Sequence, residues 1–159
     1  AGAVGNLALP IAVQKEFIDA AKRLTVALGL RGLNSLDALL NGDSLWILEL
    51  NPRLSASFQL YPNLLQAHLQ ASAGEFVDLI ENKTARAEFV LYADEKLNIP
   101  ADFIWPDWVA DIPFLEMNSV AIDKDEPICS VLAEGESAEA VHQLVLERVK
   151  KLKGKLLHD

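Results

Sequence analysis

Between Asp37 and Arg53 the chain carries two carboxylates, a carboxamide and a guanidinium: Asp37, Glu49, Asn51 and Arg53. The last three occupy every second position. Carboxylate and amide oxygens are hard donors, suited to Mg²⁺ held together with nucleotide phosphates. A guanidinium at the next same-parity position matches the oxygens of a phosphoryl group or of an acyl-phosphate oxyanion. Acids alternating with Leu and Trp also describe an ordinary solvated sheet face, so the residue types alone leave both readings open.

To act together these groups need a rigid frame. Leu33–Leu40 and Ser44–Asn51 are apolar-rich runs separated by Asn41-Gly42-Asp43, a strong hairpin signal. Pro52 ends the second strand because it cannot donate to a ladder. Alternate residues share a face, so Glu49 and Asn51 point the same way. With a three-residue loop, Leu40 faces Ser44 and Asp37 faces Ile47, which leaves Asp37 diagonal to Glu49 on one face. A two-residue loop would turn Asp37 to the other face. Convergence of the acids therefore predicts an odd loop.

Around the hairpin, Phe17, Ala21, Leu24 and Leu28 repeat at helical spacing and Gly29 suits a C-cap, which predicts a helix over 11–28. A second helix is expected over Leu64–Ile80, with a break near Gly74. Strands are expected at Arg86–Tyr92 and Ile128–Ala133. Between them lie Pro100, Pro106, Pro113 and Pro127, with Trp105 and Trp108, read as sealing a small satellite core rather than as an aromatic lid or a dimer contact. Ser137 is the expected N-cap of a last helix striped by Val141, Leu144, Val145, Val149 and Leu152. The order helix, hairpin, helix, strands, helix predicts an α+β fold with an antiparallel sheet packed by helices.

Asp37 followed by Glu49-Leu50-Asn51-Pro52-Arg53, with Leu30-Arg31-Gly32-Leu33-Asn34-Ser35-Leu36 before it, resembles the metal-binding signature of the ATP-grasp superfamily. Biotin carboxylase and D-alanine–D-alanine ligase are members. The resemblance covers residues 1–80 and implies the second half of an ATP-grasp domain, its C-terminal lobe. Residues 81–159 resemble the C-terminal extension of uncharacterised ATP-grasp proteins and are expected to pack on the same core. By this resemblance the cofactors are ATP and Mg²⁺, which Mn²⁺ can replace. Asp37, Glu49 and Asn51 would be metal ligands, with Glu49 bridging two ions. Arg53 would touch the reacting phosphoryl group or the carboxylate substrate, and Ser55 and Ser57 would line the adjoining cofactor and substrate loop. The implied activity is that of a carboxylate–amine ligase working through an acyl phosphate. Such an enzyme also needs an earlier lobe for the phosphates and adenine. The chain begins at Ala1 rather than Met, so a longer protein is expected to supply that N-terminal lobe, and this chain alone is expected to be inactive. The competing reading is a non-catalytic interaction or dimerisation domain that retains a relic hairpin.

The remaining features exclude more than they assign. With 159 residues, 51% of them hydrophobic and 23% charged, the chain has the balance of a folded domain rather than a disordered one. A net charge of −9 argues against nucleic acid as a partner. No apolar run has the roughly 20 residues of a membrane span. Cys129, the single cysteine, permits no internal disulfide, fits a reducing cytoplasm and reads as a buried small hydrophobe. The basic run from Arg148 to Lys155 reads as the solvated face of the last helix. His68, His142 and His158 are expected at the surface, since none stands at metal-ligand spacing. Asp123, Asp125 and Glu126 read as a solvated turn. Apolar surface left by a missing lobe is expected to favour a homodimer.

Overall fold

The computed structural model describes residues 2–42, 44–61, 64–78, 84–113 and 119–157. Along the chain these form β1 (Gly2–Val4), α1 (Ile11–Leu28), β2 (Ser35–Asn41), β3 (Ser44–Asn51), a 3-10 turn (Ala56–Leu60) and α2 (Leu64–Ser72). There follow β4 (Ala85–Tyr92), β5 (Leu97–Pro100), β6 (Val109–Ala110), β7 (Ser119–Ile122), β8 (Pro127–Gly135) and α3 (Ala138–Leu156). Among the described residues all strand pairing is antiparallel, and with the helices this is an α+β fold. The chain divides into two compact units, Ala8–Asn82 and Ala1–Leu7 with Lys83–Asp159.

The unit Ala8–Asn82 holds α1, the β2–β3 hairpin, the 3-10 turn and α2. Both helices stop for the same reason. Gly29 at φ 61° lets the amides of Gly29 and Leu30 return to the carbonyls of Val26 and Thr25. Gly74 at φ 87° does the same, with the amides of Gly74 and Glu75 on Ala71 and Gln70. These are Schellman closures, in which a left-handed glycine satisfies the last free carbonyls. The helix expected to run to Ile80 therefore ends at Ser72, and Glu75–Asp78 are not helical. Its last two expected residues lie outside the described ones.

The other unit is a four-stranded sheet in the order β1-β4-β8-β6, covered on one face by α3, with the β5–β7 ribbon beside it. Alternation decides what is buried: Ala85, Ala87 and Leu91 of β4 and Cys129, Val131 and Ala133 of β8 face the core. Val141, Val145 and Leu152 of α3 fill the other side. Ser137 caps α3, its hydroxyl accepting from the Ala140 amide at 3.1 Å. Trp105 and Trp108 pack against this main cluster, not against a satellite of their own. Arg148 explains part of that. It donates to the Leu132 carbonyl and lies 5.4 Å from the Trp108 ring centroid, so it pins the loop to the helix. Arg148 is thus drawn out of the solvated basic face, whereas Lys150, Lys151 and Lys155 remain exposed. Among the described residues no helix is long and apolar enough to cross a membrane.

Candidate functional site

The hairpin brings the acids together by a route the loop length did not predict. Asn41 pairs with Ser44, so two residues intervene, Gly42 and Asp43, and Asp43 lies outside the described residues. Gly42 has φ 60°, the positive value that the primed hairpin turns require at their first central residue. A regular ladder from that turn would set Asp37 opposite Leu48 and put Glu49 on the other face. Instead the register shifts between Asp37 and Ala38. Ala38 pairs with Ile47, Asp37 with Glu49 and Ser35 with Asn51, so Leu48 is the extra residue of a β-bulge. The expectation of a three-residue loop is thus corrected, and the bulge supplies the odd residue instead.

Two faces result. Leu36 and Leu50, Ala38 and Ile47, and Leu40 and Leu45 pair on one side of the hairpin, and α1 packs along β3. Ser35, Asp37, Glu49 and Asn51 occupy the other as two adjacent cross-strand pairs. Asp37 and Glu49 are exposed and Asn51 half-buried. The Ser35 hydroxyl donates to Asp37 Oδ1 at 3.0 Å, which fixes the carboxylate and leaves its other oxygen free of that bond. Two carboxylates, a carboxamide and a hydroxyl form an all-oxygen set open to solvent, and that donor chemistry fits Mg²⁺ with waters or phosphates completing its shell. No group of three or more His, Cys, Asp or Glu suited to a metal gathers among the described residues, so such a shell leans on Asn51 and on the ligand's own oxygens.

After Asn51 the chain turns sharply at Pro52, where the Arg53 amide donates to the Asn51 carbonyl at 2.8 Å. Arg53 therefore leaves the strand, and its guanidinium donates to the Leu54 carbonyl at 3.1 Å. With Ser55 and Ser57, whose hydroxyls share a 2.8 Å hydrogen bond, it lines an open cleft of about 110 Å³ together with Asn34, Phe58 and Tyr61. The six residues singled out in the sequence thus fall into a strand-borne oxygen set and a loop-borne polar cleft.

Sequence reasoning missed Ser35, Asn34 and His68. Ser35 was findable as the residue two before Asp37 on the same strand face. His68 is not a free surface residue: it is half-buried, and its Nδ1 accepts from the Leu33 amide at 3.0 Å. His142 is exposed as expected, and His158 lies outside the described residues.

Residues 2–57 match the sequence profile of the ATP-grasp domain. Over that stretch the chain is similar to ATP-grasp domains. An uncharacterized protein of Methanocaldococcus jannaschii is 28% identical over 138 residues, which is 82% of this chain and 33% of that protein. Among solved structures, N5-carboxyaminoimidazole ribonucleotide synthetase from Thermotoga maritima matches with a TM-score of 0.70 at 12% identity, over 94% of this chain and 44% of that one. L-amino acid ligase from Bacillus licheniformis matches with a TM-score of 0.66 at 14% identity, over 92% and 41%. At such identities the likeness is one of fold. The chain spans about a third of its curated relative and less than half of these solved structures.

Proposed function

We propose that this chain is the magnesium-binding part of an ATP-dependent ligase that joins a carboxylate to an amine through an acyl phosphate. One observation carries the reading: the bulge at Leu48 pairs Asp37 with Glu49 and sets Asn51 on the same face. A merely solvated face needs no such device, since a regular two-residue hairpin would be solvated equally well. The ATP-grasp match over residues 2–57 and the fold shared with a synthetase and an amino acid ligase support the same reading.

In this proposal Asp37, Glu49 and Asn51 hold Mg²⁺ through oxygen. Bound there, the metal neutralises and orients the nucleotide phosphates. The chain's own residues do the rest. Strand geometry keeps the ligands in place before substrate arrives, which lowers the cost of ordering them. Arg53 supplies a fixed positive charge for the phosphoryl group or the substrate carboxylate. Ser55 and Ser57 offer hydroxyls that can exchange their mutual hydrogen bond for one to the ligand. The remaining contacts to ATP come from the rest of a longer protein, which acts in the cytoplasm.

The test is calorimetric titration of ATP with Mg²⁺ into the full-length protein and its Glu49→Ala variant. Tight, Mg²⁺-dependent binding that the substitution abolishes is the expected result. Binding indifferent to both Mg²⁺ and Glu49 would sink the ligase reading in favour of an interaction domain with a relic hairpin.

A further inference from the structure

The start of β2 is held in place from α2. Gly32 sits at φ 66°, where a side chain is strained, and a Cβ there would lie 2.8 Å from His68 Nδ1 and 2.5 Å from Ser72 Oγ. The imidazole is thus packed directly on the backbone of the corner. On the next residue, the Leu33 amide donates to His68 Nδ1 at 3.0 Å. Asn34 closes the corner from the chain itself, its side-chain amide donating to the Gly32 carbonyl at 3.0 Å. Ser35 and Asp37 follow at once, and Asn34 also lines the cleft of Arg53, Ser55 and Ser57.

We infer that His68 is a positioning residue for the metal-binding face: by accepting the Leu33 amide it anchors the Gly32–Leu33 corner, and so fixes where Asp37 stands against Glu49. The inference rests on the proposed metal site. Its physical basis is that a half-buried amide left without its acceptor loses the bond and gains no full hydration in return. The corner would then move to find another partner. A shift there is carried directly along β2, because the ladder begins at Ser35. Groups bonded directly to metal ligands weaken metal binding by roughly 10–100-fold when lost, and an anchor that acts through the backbone is expected at the lower end of that range. To accept, Nδ1 must lack a proton, so a neutral ring carries its hydrogen on Nε2.

Two measurements on the full-length protein test this. The first is Mn²⁺ binding in the presence of ATP, followed by electron spin resonance, for wild type, Glu49→Gln, His68→Phe and His68→Asn. Asn is chosen because its Oδ1 can replace Nδ1 as acceptor. His68→Phe is expected to weaken Mn²⁺ binding about tenfold, and His68→Asn to restore it to within about threefold of wild type. Equal weakening by both substitutions, or by neither, would overturn the inference. The second is the nitrogen resonance of His68 in the wild type, which stays decisive should His68→Phe fail to fold. The Nε2-protonated tautomer is expected, and the Nδ1-protonated one would overturn the inference. If wild type binds no Mn²⁺, or Glu49→Gln changes nothing, the metal site itself falls and His68 with it. If Glu49→Gln abolishes binding while His68→Phe leaves it intact, only the role of His68 falls.

Discussion

Two residues with opposite environments show what burial does to chemistry in this chain. Asp37 is exposed and tethered by Ser35, so it is held in place and still reachable. If it is a ligand, Ser35→Ala removes its outer partner and should weaken Mg²⁺-dependent ATP binding by about tenfold, whereas Asp37→Asn removes the charged ligand itself and should weaken it by more. Calorimetry on the full-length variants would reveal an inverted order, which would mean that Ser35 and not Asp37 is the ligand. Cys129 is the converse case. It is 3% exposed, and burial, aided by the charge of Asp111, pushes its thiol up to about 12. The reactive thiolate is thus suppressed, and alkylation at pH 8 should be undetectable until the protein unfolds. The sign of the stability effect follows. Below about 9.0, the thiol's ordinary value, both states keep the proton and stability is undiminished. As pH rises from there toward about 12, the unfolded chain ionises while the folded one resists, so stability falls. Cys129→Ala should remove that part of the alkaline decline, measured by urea denaturation across the range.

Elements whose signals are local were legible, and those set by a count across two strands were not. Helix α1 was readable from its stripe and from Gly29, and α3 from Ser137 and its own stripe, because periodicity and capping are properties of neighbouring residues. The place of Trp105 and Trp108 was not readable, since it depends on Arg148, forty residues further along the chain. The hairpin lies between these cases. Its strands and oxygen donors were plain, yet its loop length was inferred from the wrong irregularity. A signal was nonetheless present: Leu45 and Ile47 share the apolar face with Leu50, and that change of parity demands an extra residue between 47 and 50. This identifies Leu48 as the inserted residue and makes a paired prediction. Deleting Leu48 closes the bulge and keeps Asp37 opposite Glu49, with Asn51 still on their face. Mg²⁺-dependent ATP binding should survive within about threefold, at the scale of one small local rearrangement. Deleting Leu50 instead moves Asn51 to the opposite face and should abolish binding. Loss of binding in both deletions, with both proteins folded by circular dichroism, would show that the bulge itself and not the pairing matters.

At the scale of the whole molecule, burial is unequally divided. Among the described residues, Val13, Leu60 and Ala67 are the only buried hydrophobic side chains of the hairpin unit. The sheet unit has Leu91, Ile99, Val131, Val141, Val145 and Leu152 at 2% exposure or less. The hairpin unit also displays Trp46 at 63% and Leu48 at 65% exposure, and it rests on a two-stranded sheet with both edges unpaired among the described residues. A two-stranded sheet is marginal by itself, since stability grows with the strands and apolar area it joins. The amides of β4, β8 and α3 should therefore exchange with deuterium last, near the global unfolding limit, while those of β2 and β3 open locally and exchange faster by orders of magnitude. A ligand that binds only the closed hairpin stabilises it by mass action, by about 2.7 kcal/mol at a hundredfold excess over its Kd. In the full-length protein, ATP with Mg²⁺ should then slow exchange in β2 and β3 by about a hundredfold and leave β4 and β8 unchanged. Uniform protection of both units would mean that they open as one body, and protection that persists in Glu49→Gln would mean that the nucleotide acts away from this face.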